Sequence, residues 1–218
     1  MKVLLWGAGA HGRVIHDLAC ACGYSDIAFV DDQPQNELVC DCSVLLPDDQ
    51  RIRDYRRFVV SVGDNRLRAR LFEAGLARGL EPAVLIHPSA VISRSAALGR
   101  GTMVLPLVVV GSGVAIGENC ILNTACVVEH DSRLSNHVHV SPGAIIGGEV
   151  TIETFAHVGM GARVLSRLDV GRESILGAGA VAVKDVTAGW IVTGIPARPW
   201  REIGHESGRE VGREVGQR

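Results

Sequence analysis

Two groups of residues in this 218-residue chain combine types and spacing that suit chemistry. The first is the turn Gly7-Ala8-Gly9-Ala10-His11-Gly12, which matches G-x-G-x-x-G and is followed about twenty residues on by Asp31-Asp32. Between a strand and a helix, such a turn aims backbone N–H groups at a phosphate and leaves the carboxylates for ribose or base hydroxyls. His11 stands inside that turn at a phosphate-facing position, and Gly63-Asp64-Asn65 forms a second turn after another apolar run. The second group is made of histidines. His130 lies between Glu129 and Asp131, and an adjacent carboxylate that orients the ring and supports its protonated form suits a general base. Gly148, at a spacing of 18 from His130, offers a backbone N–H to a developing oxyanion, while Asn123 is available to hold the ring or a substrate. His139 and His157 form a further pair with the same spacing.

That shared spacing has a structural origin. From Ile86 an aliphatic residue recurs every six positions for 16 successive hexads, ending at Leu176, and a second, mostly small column follows four places after each. Six fits neither a helix at 3.6 nor one continuous strand at 2. It fits a parallel β-helix in which short strands bend at corners, three hexads close one coil, and both columns point inward. Residues 86–181 then make a little over five coils, with His130 one corner after Asn123 and one coil below Gly148. Glycines that follow the aliphatic position, among them Gly99, Gly117 and Gly147, are expected where corners need permissive backbone angles. Cys120 and Cys126 fall on the inward column and read as core thiols.

Before residue 85 the pattern is different. Strands are predicted at 2–6, 27–30 and 58–62 and helices at 13–22 and 66–78, an alternation that makes a small parallel α/β sheet. Three segments follow: a nucleotide-binding α/β domain at 1–85, a β-helix at 86–200 and a charged, solvated tail at 201–218. The α/β part is half a dinucleotide fold, which favours a single nucleotide diphosphate over a dinucleotide. The net charge of −2 argues against a nucleic-acid partner, and no apolar run approaches the ~20 residues of a membrane helix. Cys20/Cys22 and Cys40/Cys42 lack the spacing of zinc knuckles, so no metal is expected, and the chain reads as cytoplasmic with reduced thiols.

A half-sized nucleotide-binding domain followed by hexapeptide repeats resembles the NeuD/PglD-type sugar acyltransferases, which include N-acetyltransferases of UDP-4-amino-sugars and GDP-perosamine. The likeness spans about residues 1–200. It rests on Gly7–Gly12, Asp31-Asp32, Val62-Gly63-Asp64-Asn65 followed by Arg66, Asn123, Glu129-His130-Asp131, His139-Val-Ser-Pro-Gly143 and Gly194-Ile-Pro-Ala-Arg198. The resemblance implies a left-handed coil, a homotrimer and acetyl-CoA bound between neighbouring β-helices. It implies that His130 is the catalytic base, Asp131 its orienting carboxylate, Asn123 an active-site member and Gly148 the oxyanion donor. His139, Gly159, Met160 and Ala178 match coenzyme-lining positions, with Lys184 and Arg198 near its phosphates; Gly9, Ala10, His11, Asp31, Asp32, Gly63 and Asn65 match the nucleotide-sugar site. The implied reaction is acetylation of the 4-amino group of a nucleotide-linked amino-sugar, UDP first and GDP or dTDP next, for surface glycan or glycoprotein sugars.

Three other readings remain open on the residues alone. The same fold supports O-acetylation of a sialic-acid-like sugar. Trimeric β-helices also resemble zinc carbonic anhydrases, for which His130, His137, His139 and His157 are the histidines to consider. The third is a nucleotide-binding scaffold without catalysis.

Overall fold

The computed structural model describes residues 1–203. The first unit is a parallel sheet built from β1 (Lys2–Trp6), β2 (Asp26–Val30), β3 (Leu38–Val39), β4 (Cys42–Leu45), β5 (Arg57–Val60) and β6 (Glu81–Pro82), in the order β3-β4-β2-β1-β5-β6 with only β3 antiparallel. Helices α1 (Ala10–Ala21) and α2 (Asn65–Ala77) cover it. Val3, Leu5, Ile27 and Phe29 point to the α1 side, whereas Leu4, Trp6, Phe58 and Val60 point to the α2 side. Both faces are apolar because both are covered, as parallel sheets require.

Helix α1 starts at Ala10, three residues before the predicted position, since Gly9 is already its extended N-cap. Strand β5 stops at Val60, and the chain then turns so that Ser61 Oγ donates to Gly7 O at 2.7 Å. Asp64 caps α2 by accepting from the Leu67 N–H at 2.7 Å. The β3–β4 hairpin, the short 3-10 helix Gln50–Asp54 and β6 lie outside the predicted elements, because segments of two to five residues are too short to show a hydrophobic period.

From Leu85 onward the chain forms 17 two-residue strands, β7 (Leu85–Ile86) to β23 (Val181–Ala182), stacked as three parallel sheets with each strand paired to the one three hexads away. Strands β24 (Trp190–Thr193) and β25 (Arg198–Glu202) close the end as a hairpin. Arg201 and Glu202, expected in the tail, belong to that hairpin, and the Ile203 N–H donates to Gly189 O; the remaining tail residues, 204–218, lie outside the described residues. Both columns point inward along most of the coil, and Cys120 and Cys126 are fully buried there. Ile86, Ile92 and Leu98 are less buried because no coil lies beneath the first one.

The glycines have a different reason from the one expected. Gly99, Gly117 and Gly147 do not adopt positive φ; the left-handed corner residues lie two places later, at positions such as Gly101, Asn119, Asp131 and Glu149. What excludes a side chain is the next coil: a Cβ on Gly99 would collide with the Gly117 carbonyl and sit 2.6 Å from the Glu118 nitrogen, and one on Gly147 would sit 2.7 Å from the Ser166 nitrogen. Coils stacked at hydrogen-bonding distance leave no room for it.

The α/β unit rests on the first face of the coil. Leu85, Met103, Leu105 and Ile121 share a core with Val3, Ile15, Leu18 and Phe29. This packing sets the glycine turn beside the histidines of that face.

Candidate active site

His130 follows the strand Val127–Val128 at a corner whose left-handed position is taken by Asp131, with φ 58°. An aspartate tolerates that conformation better than a branched residue. The corner brings Asp131 Oδ2 to 2.9 Å from His130 Nδ1, which places the proton on Nδ1 and leaves Nε2 with a free lone pair in the neutral ring. The hydrogen bond to Asp131, aided by the charges of Asp131, Glu149 and Glu129, raises the His130 pKa above its usual value. The ring lies against Gly148, where a Cβ would stand 2.5 Å from Nε2. Both side chains are open to solvent in the single chain, His130 at 55% and Asp131 at 65%.

The Gly148 N–H lies one coil above the imidazole, where it was expected, but it donates to Ser166 Oγ at 3.2 Å. Use of that amide on an oxyanion requires the serine to let go. Ser166 was not singled out, though its spacing of 18 from Gly148 would have found it.

Asn123 is elsewhere. It follows Ile121–Leu122 on the first face, its Oδ1 accepts from the Thr124 N–H at 2.8 Å, and its Nδ2 lies 3.3 Å from His139 Nε2. Within one chain it therefore attends His139 and not His130. His139 stacks on His157 with ring centroids 4.7 Å apart and planes 5° apart, and His11 of α1 approaches His139 with centroids 6.4 Å apart. The His157 Nε2 bonds Ser141 Oγ at 2.7 Å, whereas the buried Nε2 of His11 has no partner among the described residues. Burial, followed by the charge of Arg68, lowers the pKa of His11 and of His157 to about 4; burial and then the neighbouring His157 and Arg68 hold His139 well below the usual value.

These are neutral imidazoles at neutral pH, and their sign for stability follows. The unfolded chain takes up protons on His11 and His157 below about pH 6.5, whereas the folded chain does so only near 4. Stability is then complete above pH 6.5 and is expected to fall between 6.5 and 4, by up to about 3 kcal/mol per residue. Denaturation midpoints measured across that range check this; a flat profile would contradict it.

At the glycine turn, Asp31 is occupied by backbone. Its carboxylate accepts from the Ala8 N–H at 2.9 Å and the Gln33 N–H at 3.0 Å, so it holds the turn against the end of β2, while Asp32 is exposed. A Cβ at Gly9 or Gly63 would meet nothing within 4 Å, which leaves their backbone approachable beside Ala10. At Gly12 a Cβ would collide with Gly7 O and lie 3.3 Å from the Gly7 carbonyl carbon. Gly12→Ala is expected to lose about 1–3 kcal/mol by prising α1 from the turn, as seen by denaturant titration. Asn65, expected at the substrate, is bonded within the chain: its Nδ2 donates to Phe155 O at 2.9 Å and its Oδ1 accepts from Arg68 Nη2 at 2.7 Å. That amide ties the two units together.

Of the coenzyme-side positions, Met160 is 62% exposed at the corner between the first and second faces, beside Gly159 and one coil below Ala178. On that corner Gly143, Gly161 and Gly179 recur once per coil, each with open space where a Cβ would be. Lys184 and Arg198 line a cavity of about 370 Å³ with Asp185 and Trp190 at the far end of the coil. Among the described residues no three His, Cys, Asp or Glu side chains are grouped to hold a metal. His137 is used structurally, stacked on Phe155 at 5.1 Å and bonded to Asn119.

Residues 2–74 match the PglD N-terminal domain family. The chain is 33% identical over 149 residues to the GDP-perosamine N-acetyltransferase of Escherichia coli O157:H7, covering 64% of this chain and 67% of that one. It is 34% identical over 111 residues to the UDP-N-acetylbacillosamine N-acetyltransferase of Bacillus subtilis (strain 168), covering 48% of this chain and 51% of that one. This chain belongs to the PglD-type sugar acetyltransferases. A crystal structure of PerB from Caulobacter crescentus in complex with CoA and GDP-perosamine superposes with a TM-score of 0.87 at 34% identity, covering 92% of this chain and 98% of that one. The PglD-type assignment makes the chain an acyltransferase. Among the described residues no helix is long and apolar enough to cross a membrane.

Proposed function

We propose that the chain transfers the acetyl group of acetyl-CoA to the amine of a nucleotide-linked amino-sugar. The observation that carries this reading is His130 with Nδ1 held by Asp131, Nε2 bare, and Gly148 pressed against the ring. In the proposed step the amine nitrogen attacks the thioester carbonyl, His130 Nε2 takes the amine's proton, and as the C–S bond breaks the imidazolium returns that proton to the departing sulfur, releasing CoA as its thiol. An acceptor of that kind adds about 10²–10⁴-fold to the rate. The raised pKa of His130 predicts an acid limb in the rate profile, because the base must be neutral. Asp131→Asn should move that limb to lower pH while reducing the plateau, and an unmoved limb would count against His130 as the titrating group.

A homotrimer fits the surface. Val91, Val109, Val127 and Ile145 occupy outward positions of the second sheet, and Val91 is 64% exposed. An apolar stripe of that length suits a second copy of the chain. Such packing would set the His130 corner of one copy facing the open Gly143–Gly161–Gly179 corner of its neighbour, a slot slim enough for the thioester arm, with Asn123 and His139 beside it. Light scattering that finds a monomer would remove this arrangement.

The nucleotide sugar is placed at Gly9, Ala10 and His11, where the α1 N-terminus and the open glycine backbone meet the histidine face. One of the relatives acts on a UDP-sugar and another on a GDP-sugar, so UDP as first choice stands beside GDP. A cytoplasmic setting, where acyl-CoA is made, and a role in surface glycan sugars accord with this reading. Thioester consumption measured against UDP-, GDP- and dTDP-4-amino-sugars tests it. Turnover with one of them is expected; none with any amine, or turnover only with a sugar hydroxyl, would overturn it.

A further inference from the structure

Arg68 of α2 is the largest fully buried side chain, with 0% exposure, and among the described residues no carboxylate pairs with it. Its guanidinium is shared between the two units. Toward the α/β unit, Nη1 donates to Gly63 O at 3.0 Å and Val62 O at 3.3 Å, and Nη2 to Asn65 Oδ1 at 2.7 Å. Toward the coil, Nε donates to Asn119 O at 2.9 Å and Nη2 to His137 O at 2.9 Å. A rigid fork of five N–H groups can serve both sides at once, which a lysine cannot.

Burying a cation without a counter-ion is costly even when carbonyls surround it. A neutral contact would join two units at lower cost, so the charge and the fork need a purpose beyond adhesion. One acceptor supplies it. Gly63 O receives Arg68 Nη1 and also lies 3.3 Å from His139 Nδ1. A carbonyl cannot donate, so the proton of neutral His139 is on Nδ1, and Nε2 is left to accept from Asn123 Nδ2 at 3.3 Å.

Resting on the acetyltransferase reading, we infer that Arg68 is a positioning residue for transfer: by clamping Gly63 O between loop and coil it fixes His139 as the Nδ1–H tautomer, with Nε2 turned to Asn123. Other groups around His139 do not substitute for it. His11 on α1 and His157 on the next coil are themselves neutral, and the carboxylate of Asp64 at the start of α2 caps the helix. Arg68 is the buried cation shared by the surroundings of His11, His139 and His157, and its charge opposes protonation of all three.

Imidazole nitrogen NMR on the full-length, histidine-labelled protein without substrate, combined with steady-state kinetics, tests this. The wild type should show His139 protonated on Nδ1 and unprotonated on Nε2, without titration near pH 6.5. Arg68→Met should mix the two tautomers, bring His139 titration toward the ordinary range and lower kcat about 10- to 100-fold, the cost of losing a group that orients a site residue. Arg68→Lys should keep the titration low because the charge remains, yet mix the tautomers and reduce kcat several-fold because the fork is lost. Unchanged His139 spectra in a folded variant, with loss only of melting temperature, would overturn the proposal. If Arg68→Met does not fold, the Arg68→Lys spectra decide it in the same way. Wild-type spectra as expected but no thioester consumption would remove the acetyltransferase reading and leave the tautomer clamp standing.

Discussion

His130→Ala should lower kcat by about 10²–10⁴-fold, the range for loss of a positioned proton acceptor, while nucleotide-sugar affinity changes less than about twofold. The separation follows from placement: His130 belongs to a corner leading from the second face, whereas the glycine turn and His11 lie over the first. Steady-state rates with isothermal titration of the sugar nucleotide measure the two effects separately. Near-normal turnover would remove His130 from the role of base. Loss of affinity equal to the loss of rate would make it a binding residue instead. The acid limb attributed to His130 must vanish from whatever activity the variant retains.

A comparable loss is expected from one methyl group. In Gly148→Ala the new Cβ would stand 2.5 Å from His130 Nε2 and 2.7 Å from Cε1, distances that no side chain accepts. The backbone at 148 is not in the left-handed region, so alanine itself fits there. His130 is exposed and free to swing outward, and the strain is therefore relieved at the imidazole, which leaves Asp131, rather than in the coil. We expect kcat to fall about 10²-fold with melting temperature nearly unchanged. Because the damage runs through the ring, adding Gly148→Ala to His130→Ala should cost little more, a non-additivity expected of groups acting as one unit. Full additivity in that double variant would show that Gly148 acts by its own route, through its N–H, and a wild-type rate in Gly148→Ala would contradict the contact itself.

Much of this site was visible as spacing. Any residue of the coil is stacked on those three hexads away, so His157 over His139 and Gly148 over His130 follow from arithmetic once the six-residue period is recognised. The Asp131 contact was equally legible, since neighbours in a corner have few places to go. The placement of Asn123 beside His139 was not. A hexad count names the corner on which a residue sits, but a short polar side chain at that corner turns to whichever partner the adjoining coil presents. The corner glycines show a related limit: their positions were read correctly and their reason was not, because steric exclusion by the next coil and freedom of φ leave the same letter in a sequence.

Residues that act between the two units were the hardest to see. Arg68 contacts residues 51 and 69 positions away, and Asn65 reaches one 90 positions away. No period links them, and in the sequence Arg68 is one of several arginines on an ordinary amphipathic helix. The repeat, the coil, the glycine turn and the His130–Asp131 pair are local or periodic, so the order of residues specifies them directly. The approach of His11 to the histidine stack and the buried cation that joins loop to coil exist only once the α/β unit is seated on the first face. That seating is a matter of apolar surfaces meeting across long chain separations, and it is there that desolvation makes these imidazoles neutral and gives Arg68 its purpose.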